Sequence, residues 1–266
     1  MAIKDDTVYT RSRHNLKIPR VGTIPCQDFY NTYIRIDSFF LWILYMARHL
    51  DEMEEADDNL LELLEDPKIE QEVRERRVKR KKMIEVVKEN RQFFLETMLV
   101  RHVDNYLNYI SSLLFEIFTQ RPETLKSSEK IEIETVLICE TIRDVVRTFA
   151  ERKVESLSFS SIRDLYDFFK DRFKLELFPQ KQMPFVVEAI ETRNISVHNR
   201  CIINKRYVSK TGVDPKLIGT VRKLLISELD KFIQIFLESV NAVDRSAREK
   251  LKIKGRLLKL DAGPGL

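Results

Sequence analysis

The feature that most constrains the fold of this chain is its shortage of residues that interrupt helices. Only 6 of its 266 residues are glycine and 8 are proline, whereas leucine, glutamate, lysine, arginine and isoleucine are common. Most of these residues extend helices at little cost in free energy. Hydrophobic residues make up 43% of the chain and charged residues 33%, which is compatible with a packed core. The composition therefore predicts an all-α protein.

Charge and cysteine content narrow the class of protein further. The net charge of +4 permits RNA binding without requiring it. Cys26, Cys139 and Cys201 are odd in number and far apart, so a disulfide framework is not expected. The polar first 20 residues do not form a signal peptide, and the most apolar run, 39–47, is too short to span a membrane. We expect a soluble cytoplasmic protein with no membrane contact.

Composition and periodicity divide the chain into four parts. The N-terminal segment contains Pro19, Gly22 and Pro25 and shows no clean periodicity. Helical spacing begins at Gln27, and the chain after Asp244 is basic with a glycine- and proline-containing end, for which we expect a frayed terminus. The predicted parts are an extended arm (1–25), a helical extension (26–82), a helical bundle (83–243) and a basic tail (244–266).

A long amphipathic pattern opens the bundle. Apolar residues recur at three and four positions from Met83 to Phe118, and Pro122 ends the run. Because a single helix of this length is unusual in a compact domain, we expect a break between Asn90 and Val103.

Four further segments complete the predicted bundle. A helix is expected from Ser127 or Ser128 through Phe149, with its apolar residues facing a core. Ser161 and Asp164 have capping-box spacing at the start of the next helix. The remaining predictions are a helix with Pro184 in its first turn, a loop through Asn204, Gly212 and Pro215, and a last helix carrying Ile218, Val221, Leu225 and further apolar residues to Val240.

Two charged blocks and one aromatic cluster lie in the helical extension. Residues 51–58 are largely acidic and residues 74–82 largely basic. The basic block would suit a nucleic-acid track, but a solvated helix face, perhaps one paired with the acidic block, is the favoured interpretation. Phe39, Phe40, Trp42 and Tyr45 could stack on bases, but a core or dimer contact is favoured.

The hexapeptide Arg193–His198 carries the most informative chemistry. It supplies a fixed positive charge that suits a phosphate and an imidazole that can exchange protons near neutral pH. On a helix, Glu191, Asn194 and His198 lie along one stripe, because their spacings are three and four. Arg193 interrupts a neighbouring apolar row, where a charge is costly unless it is paired, lies at an interface or is held for an anion.

A purely structural role is the alternative for the same residues. Arg193 could extend to solvent or pair with Glu191 or Glu188, and His198 could stabilise the helix C-terminus, where cations are favoured.

The stretch Glu191 to Tyr207, ETRNISVHNRCIINKRY, resembles the helix end and loop of HEPN-domain ribonucleases. Their signature is an arginine, commonly a polar residue next, and a histidine five positions after the arginine. The segments LVRHVDNYLNYISSLLFEIF, PETLKSSEKIEI and LSFSSIRDLYDFF also resemble one bacterial group of HEPN-like proteins. The resemblance covers about Met83 to Val240.

This resemblance implies a dimeric all-α bundle that cleaves RNA without a metal or other cofactor, in a toxin or anti-phage defence role. His198 would be the general base or acid, Arg193 would bind the scissile phosphate, and Asn194 would orient the imidazole or hold a phosphate oxygen. Glu191 would support Arg193 or His198, and Arg200 would add phosphate affinity. The implied partners are RNA, a second copy of the chain, and an antitoxin or defence-system protein.

The chain departs from the family pattern at two positions. Some HEPN proteins carry a tyrosine two residues after the histidine, which a partner transferase modifies, and Arg200 occupies that position here. Cys201 stands where a small residue is expected, and packing is favoured over a nucleophilic role. His49 and His102 lack metal-ligand spacing. The second hypothesis is therefore a HEPN-like helical module for interaction or assembly, without catalysis.

Overall fold

The computed structural model describes residues 18–64, 67–77, 81–125 and 133–260. These residues form ten α-helices and one two-stranded sheet, which confirms the predicted all-α class. The helices are α1 (Ile24–Leu64), α2 (Pro67–Arg77), α3 (Met83–Glu89), α4 (Arg91–Gln120), α5 (Ile133–Ile138), α6 (Ile142–Ser158), α7 (Ile162–Phe173), α8 (Met183–Asn199), α9 (Lys205–Thr211) and α10 (Ile226–Leu251). The strands are β1 (Val21–Gly22) and β2 (Arg256–Leu257), which pair antiparallel.

Helix α4 forms the centre of the bundle. It packs against α1, α6, α8 and α10. Its buried side chains recur every three or four residues, so that one broad apolar face meets all four neighbours. They include Leu95, Leu99, Val103, Tyr106, Ile110, Leu113 and Ile117. The break expected between Asn90 and Val103 lies at Asn90, where the side-chain amide donates to the Val86 carbonyl oxygen at 2.8 Å.

The first turns of α1 belong to the same core as the bundle. The helix starts at Ile24, three residues before the predicted Gln27, and Cys26, Phe29, Tyr30 and Tyr33 are buried in the main cluster. The predicted boundary at residues 82/83 therefore does not coincide with an edge of the core. Residues 1–17, which make up most of the predicted arm, lie outside the described residues.

The helix predicted from Ser127 or Ser128 to Phe149 is interrupted. Residues 126–132 lie outside the described part, and α5 ends at Ile138. Helix α6 starts after Thr141, whose hydroxyl accepts from the Asp144 backbone N–H in a capping box. The prediction that this segment is apolar toward a core is wrong at Ile138 and Ile142, which are 78% and 81% exposed.

The capping box predicted at Ser161 and Asp164 is confirmed at the start of α7. The Ser161 hydroxyl accepts from the Asp164 backbone N–H, and the Asp164 carboxylate accepts from the backbone N–H and hydroxyl of Ser161. These hydrogen bonds lower the pKa of Asp164. Pro184 lies in the first turn of α8, as predicted.

The C-terminal part of the chain differs from the prediction in three ways. The predicted loop contains helix α9, with Asn204 as its N-cap. Helix α10 starts at Ile226, so Ile218, Val221 and Leu225 precede it and are exposed. The predicted frayed tail is instead helical to Leu251, because its apolar face still meets the core there. Beyond that helix, Ile253 is buried and β2 pairs with β1; residues 261–266 lie outside the described part.

The charged blocks are only partly described. Asp51 of the acidic block accepts from the backbone N–H groups of Met83 and Ile84 at 2.7 and 2.9 Å, so it caps α3. Lys81 pairs with Glu89 at 2.6 Å, while residues 78–80 lie outside the described part. Among the described residues, no helix has the length and apolar character needed to cross a membrane.

Candidate functional site

Helix α8 brings the hexapeptide from the core to the surface. Its first half is buried through Val186, Val187 and Ala189, whereas Val197 in its last turns is 48% exposed. Arg193 lies between these ends with its side chain 25% exposed. The apolar row that Arg193 interrupts therefore reaches solvent near the end of the helix, where a charged group can remain hydrated.

The partner of Arg193 is Asp104 on α4. The Nε and Nη2 atoms of Arg193 both lie 2.8 Å from Asp104 Oδ1, and Nη1 donates to Asn194 Oδ1 at 3.2 Å. The guanidinium is thus fixed by two groups while half-buried. This pairing corrects the expectation that Glu191 or Glu188 would neutralise Arg193. Sequence reasoning missed Asp104, because 89 positions separate the two residues and only the packing of α4 on α8 joins them.

His198 lies at the solvent-exposed end of the site. It occupies the last turn of α8 and is exposed. Within the described residues it forms no hydrogen bond or ion pair, whereas Asn194 is engaged with Arg193. The site therefore combines an oriented guanidinium with an accessible imidazole on one helix. Asn194 orients Arg193 here, not the imidazole as one of its two predicted roles required.

The turn after α8 is held in an uncommon conformation. Arg200 and Cys201 both have positive φ angles, 49° and 57°, in the left-handed region that side chains other than glycine rarely adopt. The Cys201 backbone N–H donates to the Ile195 carbonyl at 3.0 Å, and the Asn199 side chain donates to the Ile202 carbonyl at 2.6 Å. These bonds fix the turn that presents the exposed Arg200 beside the end of α8.

Cys201 is a packed side chain. It is 2% exposed, and its Sγ lies 3.0 Å from the Ser196 hydroxyl. Burial raises the pKa of the Cys201 thiol to about 11, so the thiol stays protonated at neutral pH. A protonated, buried thiol is a poor nucleophile, which agrees with the favoured packing interpretation.

Glu191 is not a partner of the other candidate residues. It is buried and forms an ion pair with Arg206 at 3.5 Å. Within the described residues it contacts neither Arg193 nor His198 through a hydrogen bond or ion pair. Although the three predicted residues share a helix stripe, α9 lies over the Glu191 end of that stripe, which separates Glu191 from the site.

Arg222 joins the segments around α8. Its guanidinium pairs with Glu188 at 3.0 Å and Glu228 at 2.7 Å, and its Nε donates to the Tyr207 hydroxyl at 3.2 Å. Tyr207 in turn lies 3.2 Å from the Thr192 hydroxyl. This network binds α8, α9 and the start of α10 into one unit, so the motif helix has a rigid support.

Exposed apolar residues lie close to the site in the chain. Val221 forms an isolated bridge with Ile202, just after α8, and is 55% exposed. Leu217, Ile218 and Leu225 of the same loop are between 41% and 56% exposed. Together with Val197, they give this end of the bundle an apolar surface of the kind that marks a contact site.

The chain matches no protein-family model, no curated protein and no solved structure. The resemblance to HEPN ribonucleases therefore rests on the residues of the chain itself and stays a prediction.

Proposed function

We propose that the chain is a metal-independent endoribonuclease that acts as a homodimer. The observation that carries this proposal is the end of α8, where a fixed Arg193 and an exposed, internally unpaired His198 share one helix. By the resemblance, the protein would act on cellular or phage RNA in the cytoplasm as a toxin or defence enzyme. An antitoxin or defence-system protein would be its regulatory partner.

The proposed chemistry is an internal transfer at phosphorus. The ribose 2′-oxygen forms a bond to the adjacent phosphorus while the bond from phosphorus to the 5′-oxygen breaks. One imidazole takes the proton of the 2′-hydroxyl, and a second group gives a proton to the leaving 5′-oxygen. The products are a 2′,3′-cyclic phosphate and a 5′-hydroxyl. The Arg193 guanidinium stabilises the developing charge on the phosphate oxygens through N–H groups not directed at Asp104.

A dimer supplies what one copy lacks. The reaction needs an acid and a base, and each chain offers one His198 at this site. The exposed apolar residues Val197, Val221 and Leu225 support contact between two copies at this end of the bundle. Two copies related by a two-fold axis would place two Arg193–His198 sets in one cleft.

A non-catalytic helical module for interaction or assembly is the second candidate. The observation that favours it is the Arg193–Asp104 ion pair, because an arginine already neutralised inside the chain has a structural role without any phosphate. In that case the exposed apolar residues would bind a partner, and His198 would be an ordinary surface residue.

The two candidates differ in whether His198 is needed for RNA cleavage. We expect the purified chain to cleave mixed RNA in EDTA and to leave cyclic phosphate ends. His198→Ala should lower the rate by about 100-fold or more, the usual contribution of a general acid or base. The matched control is Gln180→Ala, an exposed polar residue just before α8, roughly 25 Å from its other end at 1.5 Å per residue.

Equal cleavage by wild type and His198→Ala would show that the activity comes from another group or a contaminant. No cleavage by a folded wild-type dimer would favour the non-catalytic module. In a crystal of the dimer, the two His198 side chains should face one shared cleft, and placement on opposite sides would contradict a composite site.

A further inference from the structure

Helix α1 carries a second apolar face that the bundle does not cover. Its inner face packs on the core through Phe40 and Ala47, which are 7% and 4% exposed. On the outer side, Phe39, Trp42 and Tyr45 are between 46% and 55% exposed. An amphipathic helix that needed only to close the core would carry polar residues there. We call this outer side the α1 seam; its members are Phe39, Trp42, Tyr45, Met46, His49 and Met53.

The size and spacing of the α1 seam fit a helix–helix contact. Aromatic side chains offer about 150–250 Å² each, so three that are half exposed present roughly 300 Å². Met53, at 53% exposure, extends this area into the range that marks interaction sites. Positions 39, 42, 46, 49 and 53 alternate by three and four residues, which is the repeat of a coiled-coil seam.

Charges beside the seam indicate what covers it. Arg48 and Glu55 are exposed and seven residues apart, so they lie on the same flank of the helix. A two-fold axis that crosses α1 midway between them brings Arg48 of each copy against Glu55 of the other. The Arg48–Glu52 ion pair at 2.7 Å does not prevent this, because both side chains are more than half exposed and such pairs contribute little to stability.

We propose that the α1 seam binds the same face of a second copy of this chain in antiparallel orientation. The contact is independent of the proposed RNA cleavage and uses a surface separate from the end of α8. A chain with both contacts would assemble beyond a dimer, because each copy then has two self-binding surfaces.

The first test measures the mass of the full chain in solution by light scattering. Trp42→Glu puts a charge in the seam and should halve the mass relative to wild type. The matched control is Phe159→Glu, since Phe159 is 86% exposed beyond the end of α6 and its replacement should leave the mass unchanged. Far-UV circular dichroism establishes that each variant is folded. An equal mass for wild type and Trp42→Glu would overturn the proposal.

The second test addresses orientation and partner. Arg48→Glu and Glu55→Arg each place like charges together in the antiparallel pair, so each should weaken self-association about tenfold or more. Mixing the two variants, or combining both changes in one chain, should restore wild-type association. Failure of both rescues would contradict the antiparallel second copy and leave the seam to a different partner. RNA cleavage plays no part in either readout, so this proposal and the proposed function can fail separately.

Discussion

At the scale of single residues, the position of Arg193 depends on one carboxylate from another helix. Asp104 accepts from two nitrogens of the guanidinium, and Asn194 accepts from the third. This arrangement leaves fewer rotamers open to Arg193 than a surface arginine has, so an anion would meet a preorganised group. Asp104 is thus a positioning residue under the proposed function and a structural partner under the alternative.

Asp104→Asn separates these two roles. The amide still accepts a hydrogen bond but no longer offsets the charge, so we expect a loss of about 1–2 kcal/mol in the free energy of unfolding. Under the proposed function, RNA cleavage at a temperature where the variant is folded should fall roughly 10- to 100-fold, because a displaced guanidinium no longer matches the phosphate. Urea denaturation and single-turnover cleavage measure the two effects.

The control for this substitution is Asp167→Asn, an exposed aspartate on α7. It should change neither quantity measurably, because surface substitutions away from special contacts stay within about 0.5 kcal/mol. Stability lost in Asp104→Asn with full cleavage retained would remove Asp104 from the positioning role.

The sequence predicted part of this site and not the rest, for a physical reason. Helical periodicity places Arg193 and His198 near one helix end, because that depends only on local geometry. The pairing of Arg193 with Asp104 depends on how α4 packs on α8, which no local pattern encodes. The same holds for Glu191, whose partner Arg206 approaches it through the packing of α9 on α8.

At the scale of elements, caps were predicted more reliably than helix ends without them. Ser161 with Asp164 identified the start of α7, because a capping box is a local set of hydrogen bonds. The break before α6 was missed, since the apolar spacing continues across Cys139 and hides the cap at Thr141. The late start of α10 was missed for the opposite reason: apolar residues before Ile226 follow the helical spacing but serve an exposed loop.

The central helix α4 carries a carboxyl group that should make stability depend on pH. Burial, with the Asp244 carboxylate second, raises the pKa of Glu116 from 4.5 to about 7. Between these values the folded chain holds a proton that the unfolded chain has lost, so this group lowers stability as pH rises from about 4.5 to 7. Glu116→Gln removes the charge and keeps an oxygen that can accept from Gln120.

We therefore expect Glu116→Gln to be more stable than wild type at about pH 8, by roughly 1 kcal/mol once solvent screening is allowed for. The difference should disappear near pH 5, where Glu116 is protonated in the folded chain. Urea midpoints at both pH values measure it. Glu155→Gln, an exposed residue lining the same cavity, serves as the control. A gain for Glu116→Gln that is equal at both pH values would contradict the assigned titration.

At the scale of the whole molecule, the start of α1 is tied to the middle of α10. Asp244 is 1% exposed and accepts from the backbone N–H and the hydroxyl of Thr23, just before α1. Its other oxygen pairs with Arg248 Nε at 2.9 Å. Pairing of β1 with β2 extends this junction, so segments from both ends of the chain close one side of the core.

Asp244→Ala should destabilise the protein severely. It leaves the buried Thr23 groups and the Arg248 charge without their partner, which costs about 3–5 kcal/mol. Urea denaturation measures the loss, and hydrogen exchange should show the amides of β1 and β2 exchanging faster. Glu249→Ala, an exposed change on the same helix, is the control and should stay within about 0.5 kcal/mol. A loss in Asp244→Ala no larger than in this control would show that the junction does not contribute to global stability.

The junction between α1 and α10 also sets the order of events during synthesis. The Tyr30 hydroxyl donates to Asn241 at 2.6 Å across 211 positions. At about 5–20 residues per second, roughly 10–40 s pass between the translation of these two residues. During that interval one side of the α1 core, including Phe29 and Tyr30, has no partner on the nascent chain. A ribosome that stalls before α10 therefore releases a substrate for chaperones and proteases rather than a partly working protein.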